Sequence, residues 1–295
     1  MRVLIVKFSS IGDCVMAVPV ASRVRRQDPD AFIGWAVDPR CAAVLDTKTL
    51  IDLRYDIPWE VWKRERVGSL THIRHYLKLR EHKFDIALDL QGHAKTAICL
   101  RLCGAKKRVS ARAIDPIARI LNPLAPGSAV HTVERNLEAL AAVFPGDADA
   151  SPIMPQLSPI SAPSNLITIA VGTGHPNKNY GRWAEVSQLL LGRGYEVALL
   201  GGPGEHAPES GAQDLVGKLS LEETMAWIAA SRVHIAADTG SGHIAAAYGT
   251  PVVSVFGWTR SEVYRPYTDR GVVLDAGKAM DGVSPERIVE AACAF

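Results

Sequence analysis

The sequence predicts an α/β fold in two consecutive units. Three observations carry this. Short apolar runs alternate with amphipathic segments along both halves of the chain. A proline-rich stretch separates the halves. The 295 residues, with 47% hydrophobic content, exceed one ordinary core and suit two domains of roughly 150 residues each.

In the first half, residues 3–6 read as a buried strand. Residues 12–26 have helical spacing and end in a basic turn of Arg23, Arg25 and Arg26. Residues 31–37 form a strand, 70–81 a helix, and 84–90 a strand followed by Gln91-Gly92. Strands alternating with helices indicate βαβ units and a parallel sheet, hence a Rossmann-like unit. Between 145 and 165 the character changes. Pro145, Pro152, Pro155, Pro159 and Pro163 interrupt any helix, which reads as a linker.

The rhythm then restarts. Strands are predicted at 166–171, 196–200, 233–237 and 252–256. Helices are predicted at 182–191, 221–230, 242–248 and 285–293, the last capped by Ser284. The expected domains are 1–150, a linker at 151–165, and a second domain at 166–282. A C-terminal helix within 283–295 is expected to pack back on the first domain.

Composition excludes several classes. A net charge of +2 does not favour nucleic acid as a partner. The five cysteines include no CxxC pair, which argues against a disulfide framework or a zinc knuckle and suits a reducing cytoplasm. Cys99 and Cys103 read as small buried apolar residues on a helix. None of the nine histidines forms an HExxH-type pair, so no metal site is predicted. The opening MRVLIVK lacks the pattern of a signal peptide, and no stretch approaches the roughly 18 apolar residues that span a bilayer. The expectation is a soluble cytoplasmic monomer, at most peripheral to a membrane.

In open parallel sheets, ligands bind beyond the carboxyl ends of the strands. That rule selects Lys7-Phe8-Ser9-Ser10-Ile11-Gly12-Asp13 and Asp238-Thr239-Gly240-Ser241-Gly242-His243. With two domains stacked face to face, these loops would meet across a cleft. The second loop reads either as a plain strand-to-helix turn or as an anion site, where backbone N–H groups and the helix dipole face a phosphate. Asp13 reads either as a first-turn carboxylate or as a general base. Lys178 reads as a solvated lysine or as a point charge on a diphosphate. The segment 59–66 mixes tryptophans with bases and reads as a charged surface loop or as a hold on an anionic acceptor.

The motifs also carry a resemblance. RVLIVKFSSIGDCVMAVPV resembles the opening signature of the glycosyltransferase family 9 heptosyltransferases, a strand followed by K-x-S-S-x-G-D. AADTGSGHIAAAYGTPVVSVFGWT resembles their second signature. FDIALDLQGHAKTA, HTVERNLEAL and KNYGRWAEV resemble intervening segments, with Tyr180 for tryptophan and Gly181 for proline. The similarity runs over nearly the whole chain. Two departures stand out: the chain is somewhat short, and Gly242 replaces a bulkier residue before the histidine.

That resemblance implies the GT-B fold, two Rossmann-like domains whose parallel sheets face each other across a cleft. It implies inverting transfer of heptose from ADP-heptose to the Kdo-lipid A inner core of lipopolysaccharide, releasing ADP, with no tightly bound cofactor and no required metal. By the same resemblance Asp13 is the catalytic base, and the nearby charge of Lys7 would keep it ionised. Lys178, Glu205, Asp238, Thr239, Gly240, Ser241, Gly242 and His243 fall at donor positions. Ser10, Gly12, Lys63, Arg64, Arg66 and Arg112 fall on the acceptor side. Competing expectations are another donor or acceptor, a nucleotide-sugar epimerase, a non-catalytic scaffold, or a nicotinamide oxidoreductase. The last is disfavoured because FSSIGD lacks G-x-G-x-x-G.

Overall fold

The computed structural model describes residues 1–295, and the chain divides into two units, Met1–Pro155 and Gln156–Phe295. The first unit runs β1 (Arg2–Val6), α1 (Ile11–Val15), α2 (Val18–Gln27), β2 (Phe32–Val37), β3 (Leu53–Asp56), α3 (Trp59–Arg64), α4 (Ser69–Lys78), β4 (Ile86–Asp89), α5 (Ala94–Leu102), β5 (Lys107–Ser110), α6 (Pro116–Leu121) and α7 (Thr132–Ala141). Its strands form one parallel sheet in the order β3-β2-β1-β4-β5. The order reverses between β1 and β4, whose ends are in register at Val6 and Asp89. This is the switch point at which such sheets bind ligands.

β1 and β4 are buried along almost their whole length because helices cover both faces, which is why they read as unbroken apolar runs. The predicted helix 12–26 is two helices. Pro19 has no N–H to donate, and its ring would clash with the Val15 carbonyl one turn back, so α1 ends at Val15 and α2 restarts with proline in its first turn. The segment 59–66 is chiefly the helix α3 rather than a loop. Trp62 is buried, with its ring stacked on His72 at 4.5 Å.

The start of the expected linker is tied to the first unit. Arg26 donates to the Ser151 carbonyl at 2.6 Å, and the Ile153 N–H donates to Ser22 Oγ at 2.9 Å. These side chains satisfy backbone groups that a free linker would leave to water.

The second unit runs β6 (Leu166–Ala170), α8 (Trp183–Gly192), β7 (Glu196–Leu200), β8 (Gln213–Asp214), α9 (Leu221–Ala230), β9 (Val233–Ala237), α10 (Gly240–Ala247), β10 (Val252–Phe256), α11 (Ser261–Tyr264), β11 (Gly271–Asp275) and α12 (Pro285–Cys293). Its sheet is also parallel, in the order β11-β10-β9-β6-β7-β8, with its switch point between β6 and β9. Ser284 caps α12 by accepting the Arg287 N–H at 3.3 Å. Ile288, Val289 and Ala292 of α12 are buried in the core of this second unit, alongside Trp183, Val186 and Leu190 of α8. The buried stripe of this helix thus belongs to the core of the second unit. Its apolar stripe is complementary to α8, a contact no local pattern reveals.

Candidate active site

In the first unit the site forms at the carboxyl ends of β1 and β4. Lys7 follows β1 directly and is fully buried, and its ammonium lies 2.8 Å from Asp13 Oδ1 and 3.2 Å from the Leu90 carbonyl. Ser10 Oγ donates to Asp13 Oδ2 at 2.9 Å, and Arg112 Nη2 lies 3.7 Å from Oδ1. Burial alone would raise the Asp13 carboxyl. The charges of Lys7 and Arg112 and the Ser10 hydroxyl more than offset this, and hold it well below the usual carboxylate range. Asp13 is still 26% exposed, so an ionised oxygen remains reachable from solvent. A carboxylate so placed has the chemistry of a proton acceptor.

Gly12 is buried in the first turn of α1, beside this carboxylate. Of the expected acceptor cations, Arg112 reaches Asp13 and the others fall in a separate group. Lys63 and Arg64 lie on the last turn of α3 and are exposed, and Arg66 follows with a φ of 52°. No hydrogen bond or ion pair joins these three to Asp13. Beside them stands a cation the sequence reading missed, Lys95, whose ammonium sits 4.6 Å from the Trp59 ring centre. Burial first, then the repulsion of Lys63 and Arg40, lowers its pKa.

Two further residues were quoted only as part of a motif. Gln91 Oε1 accepts the N–H groups of Phe8, at 2.9 Å, and Ser9, at 3.4 Å, tying the loop after β1 to the end of β4. Asp89 lies beneath it, fully buried, and accepts the N–H groups of Gln91 and Gly92, each at 2.9 Å. Gly92 has a φ of +77°, and a Cβ there would meet the Arg112 carbonyl oxygen at 2.4 Å. This close approach lets Arg112 Nε donate to the Gln91 carbonyl at 3.0 Å, which steers its guanidinium towards Asp13.

Burial pushes the Asp89 carboxyl up from 3.8 to about 6, only partly offset by the Gly92, Gln91 and Thr96 hydrogen bonds. The Thr96 hydroxyl has one proton but two acceptors in reach, Asp89 Oδ2 at 3.0 Å and the His93 carbonyl at 2.9 Å. A neutral Asp89 resolves this by donating to Thr96. A raised carboxyl contributes stability below its unfolded pKa, and that stability is lost as pH rises through the folded value. Asp89→Asn should therefore match the wild type within about 1 kcal/mol near pH 4 and be more stable by about 3 kcal/mol above pH 6.5. Urea denaturation at several pH values checks this, and parallel profiles for the two proteins would refute it.

In the second unit the groups gather at the carboxyl ends of β6, β7, β9 and β10. Lys178 stands in a short 3-10 turn after β6, with its ammonium 2.7 Å from Asp238 Oδ2 at the end of β9. Thr259, after β10, donates to the same Asp238 oxygen. The ammonium has three N–H donors, and this contact uses one. Thr239 is the N-cap of α10, but its hydroxyl pairs with that of Ser241 at 2.8 Å, and no side chain caps this helix end. The first-turn N–H groups of Gly240, Ser241 and Gly242 thus lie where an anion is favoured.

Gly242 and His243 are buried in that first turn. A Cβ on Gly242 would meet Pro266 Cγ at 3.3 Å, so Gly242 fits a tight local space. Glu205 follows β7 and accepts the Gly202 N–H at 2.6 Å. Its carboxylate lies against Gly172, where a Cβ would sit 1.7 Å from Glu205 Cδ. The exposed Trp258 ring stacks on His175 with ring centres 6.2 Å apart, near this same edge of the sheet. No cluster of three or more His, Cys, Asp or Glu side chains is arranged to hold a metal ion.

The fold matches solved structures throughout. One is the glycosyltransferase family 9 protein of Veillonella parvula, with a TM-score of 0.83 and 18% identity, covering 99% of this chain and 96% of that one. Another is the E. coli heptosyltransferase WaaC with ADP, with a TM-score of 0.81 and 20% identity, covering 98% of each chain. These likenesses define the fold as that of the GT-B glycosyltransferases. The profile of glycosyltransferase family 9 (heptosyltransferase) matches residues 72–281, and the chain belongs to that family. It is therefore a glycosyltransferase. Among characterised relatives, the Pseudomonas aeruginosa protein "Lipopolysaccharide heptosyltransferase 1" is 28% identical over 285 residues, covering 88% of this chain and 79% of its own. The E. coli K12 protein "Lipopolysaccharide heptosyltransferase 3" is 26% identical over 301 residues, covering 90% and 85%.

Proposed function

We propose that the protein transfers heptose from ADP-heptose to the Kdo-lipid A inner core of lipopolysaccharide, with inversion. The observation that carries this reading is the Asp13 carboxylate, held ionised by Lys7, Ser10 and Arg112 at the β1/β4 switch point. It lies in a K-x-S-S-x-G-D motif of a family whose named relatives act on lipopolysaccharide. Asp13 takes the proton of the acceptor hydroxyl as that oxygen bonds to the anomeric carbon. The bond from that carbon to the diphosphate breaks, and its electrons leave with ADP. Single displacement inverts the centre.

The growing charge on the departing diphosphate is met by the N–H groups at the start of α10 and by Lys178. Asp238 and Thr259 orient that lysine. Glu205 accepts donor hydroxyls, and His243 completes the first turn beneath the phosphates. On the acceptor side Lys63, Arg64 and Arg66, joined by Lys95, attract the acidic groups of Kdo and phosphate. No helix is long and apolar enough to cross a membrane, so access to a lipid acceptor is peripheral in this reading.

Intact-mass detection of product with ADP-heptose and Kdo-lipid A tests the reading, with heptosylated cores as parallel acceptors. Transfer only to heptosylated cores would shift the step towards that of the heptosyltransferase 3 relatives. Absence of transfer to every core acceptor would refute the reading.

A pH dependence follows from the Lys7 contact. Since Lys7 depresses the Asp13 carboxyl, Lys7→Met should raise it, and the acid limb of kcat/KM should move to higher pH by about one unit or more. A pH–rate profile with an unmoved acid limb would remove Lys7 from this role.

A further inference from the structure

The segment from 114 to 124 carries a surface that the site does not use. Ile114, Ile117, Ile120 and Leu124 are 52%, 51%, 82% and 45% exposed. α6 is anchored from its other side. Ala118 is fully buried, and the Asn122 amide donates to the Ala97 carbonyl of α5 at 2.9 Å. Ile117 and Ile120, three apart on the helix, share its outward side with Ile114 just ahead of it. Soluble chains rarely leave several large aliphatic side chains together in water unless something covers them.

Two observations say what covers these. The first is charge. Arg119 is exposed on α6, and Arg101 is exposed on α5 one turn beyond Ala97, whose carbonyl accepts from Asn122 at the end of α6. Asp115 is the segment's one acid, and its carboxylate is engaged by the N–H groups of Ala118, at 2.9 Å, and Ala94, at 2.7 Å. The face is thus aliphatic with a cationic rim. The second is position. The Ile114 N–H donates to the Gly92 carbonyl at 2.8 Å, and Arg112, two residues earlier, reaches Asp13 at 3.7 Å. The patch therefore starts beside the carboxylate. It also holds no aromatic anchor of the kind that marks protein-binding faces.

We infer that Ile114, Ile117, Ile120 and Leu124, with Arg101 and Arg119, form the face that seats this enzyme on an anionic lipid bilayer. This rests on the reading above that the acceptor is lipid-linked. The aliphatic side chains enter the headgroup boundary while the arginines meet lipid phosphates. The site is thereby held at the height where an acceptor sugar leaves the membrane.

Flotation with vesicles of phosphatidylcholine, with and without phosphatidylglycerol, tests the inference. The wild type should float with the phosphatidylglycerol vesicles, and less so as salt rises. Ile117→Glu/Ile120→Glu should lower the bound fraction by about tenfold, and Ile120→Ser by less. Because these side chains are exposed, melting temperatures should stay unchanged. Turnover on a short, water-soluble acceptor should also persist in these variants, while turnover on vesicle-embedded acceptor falls. Three results would overturn the inference: a wild type that ignores anionic vesicles, variants that bind them as well as the wild type, or variants that instead dissociate an oligomer seen by light scattering. Vesicle binding that obeys the pattern without any heptose transfer would sink the proposed reaction and leave the surface standing.

Discussion

Asp13→Asn should lower turnover by about 100-fold or more, with donor affinity within about twofold of wild type. An amide keeps the shape and the contact with Ser10 but cannot take a proton. The complication is Lys7, which is fully buried and would lose its counter-charge. Removing one partner of such a pair can cost about 3–5 kcal/mol of stability, enough to confuse a catalytic loss with unfolding. Asp13→Asn/Lys7→Met removes both charges, so it should recover much of the stability and none of the turnover. Calorimetric melting and steady-state kinetics on the single and double variants separate the two effects. Turnover near wild type in folded Asp13→Asn would mean that the proton leaves by another route.

Lys178→Ala should weaken ADP binding by about 10- to 100-fold, the worth of one or two charge-assisted hydrogen bonds to a diphosphate. The variant leaves Asp238 with its Thr259 contact, so the end of β9 keeps a partner. Turnover should fall as well, because the charge that Lys178 meets grows as the donor bond breaks. The contrast with Asp13 is diagnostic: one substitution moves the dissociation constant and the other leaves it. Isothermal titration with ADP decides the matter, and unchanged affinity would count against the role of Lys178.

Much of the second unit was legible in the chain. The predicted runs 196–200, 221–230, 233–237, 252–256 and 285–293 coincide with β7, α9, β9, β10 and α12. β9 and β10 are covered on both faces, so no polar residue alternation is needed and the apolar run marks the strand ends. β3 and β5 escaped notice because they border the first sheet. Their sequences LRYD and KRVS keep charges on a partly exposed face. α5 was read only through Cys99 and Cys103, without bounds, because its apolar residues are spread around the helix, with no polar stripe to give a period.

Within the site, the sequence located the loops and their chemical types. Lys7, Ser10 and Asp13 lie within one short stretch of chain, and so do Asp238 to His243, so motif and spacing sufficed to single them out. Apart from Lys7, the partners that set their behaviour were not legible. Gln91 is drawn to Phe8 because β1 and β4 are neighbours in the sheet, and Arg112 is drawn to Asp13 because Gly92 permits a backbone approach that a Cβ would block. Lys178, Asp238 and Thr259 meet only because β6, β9 and β10 lie side by side.

Local propensity and hydrophobic period thus marked most of the segments that become strands and helices, and motif and spacing singled out the two short loops proposed to carry the chemistry. Strand order and register decided which distant side chains surround those loops. The Arg112 share of the Asp13 ionisation and the orientation of Lys178 belong to that second level. Both depend on charges a few ångströms away in space that the chain separates widely, and electrostatic interaction falls with distance in space, not along the sequence.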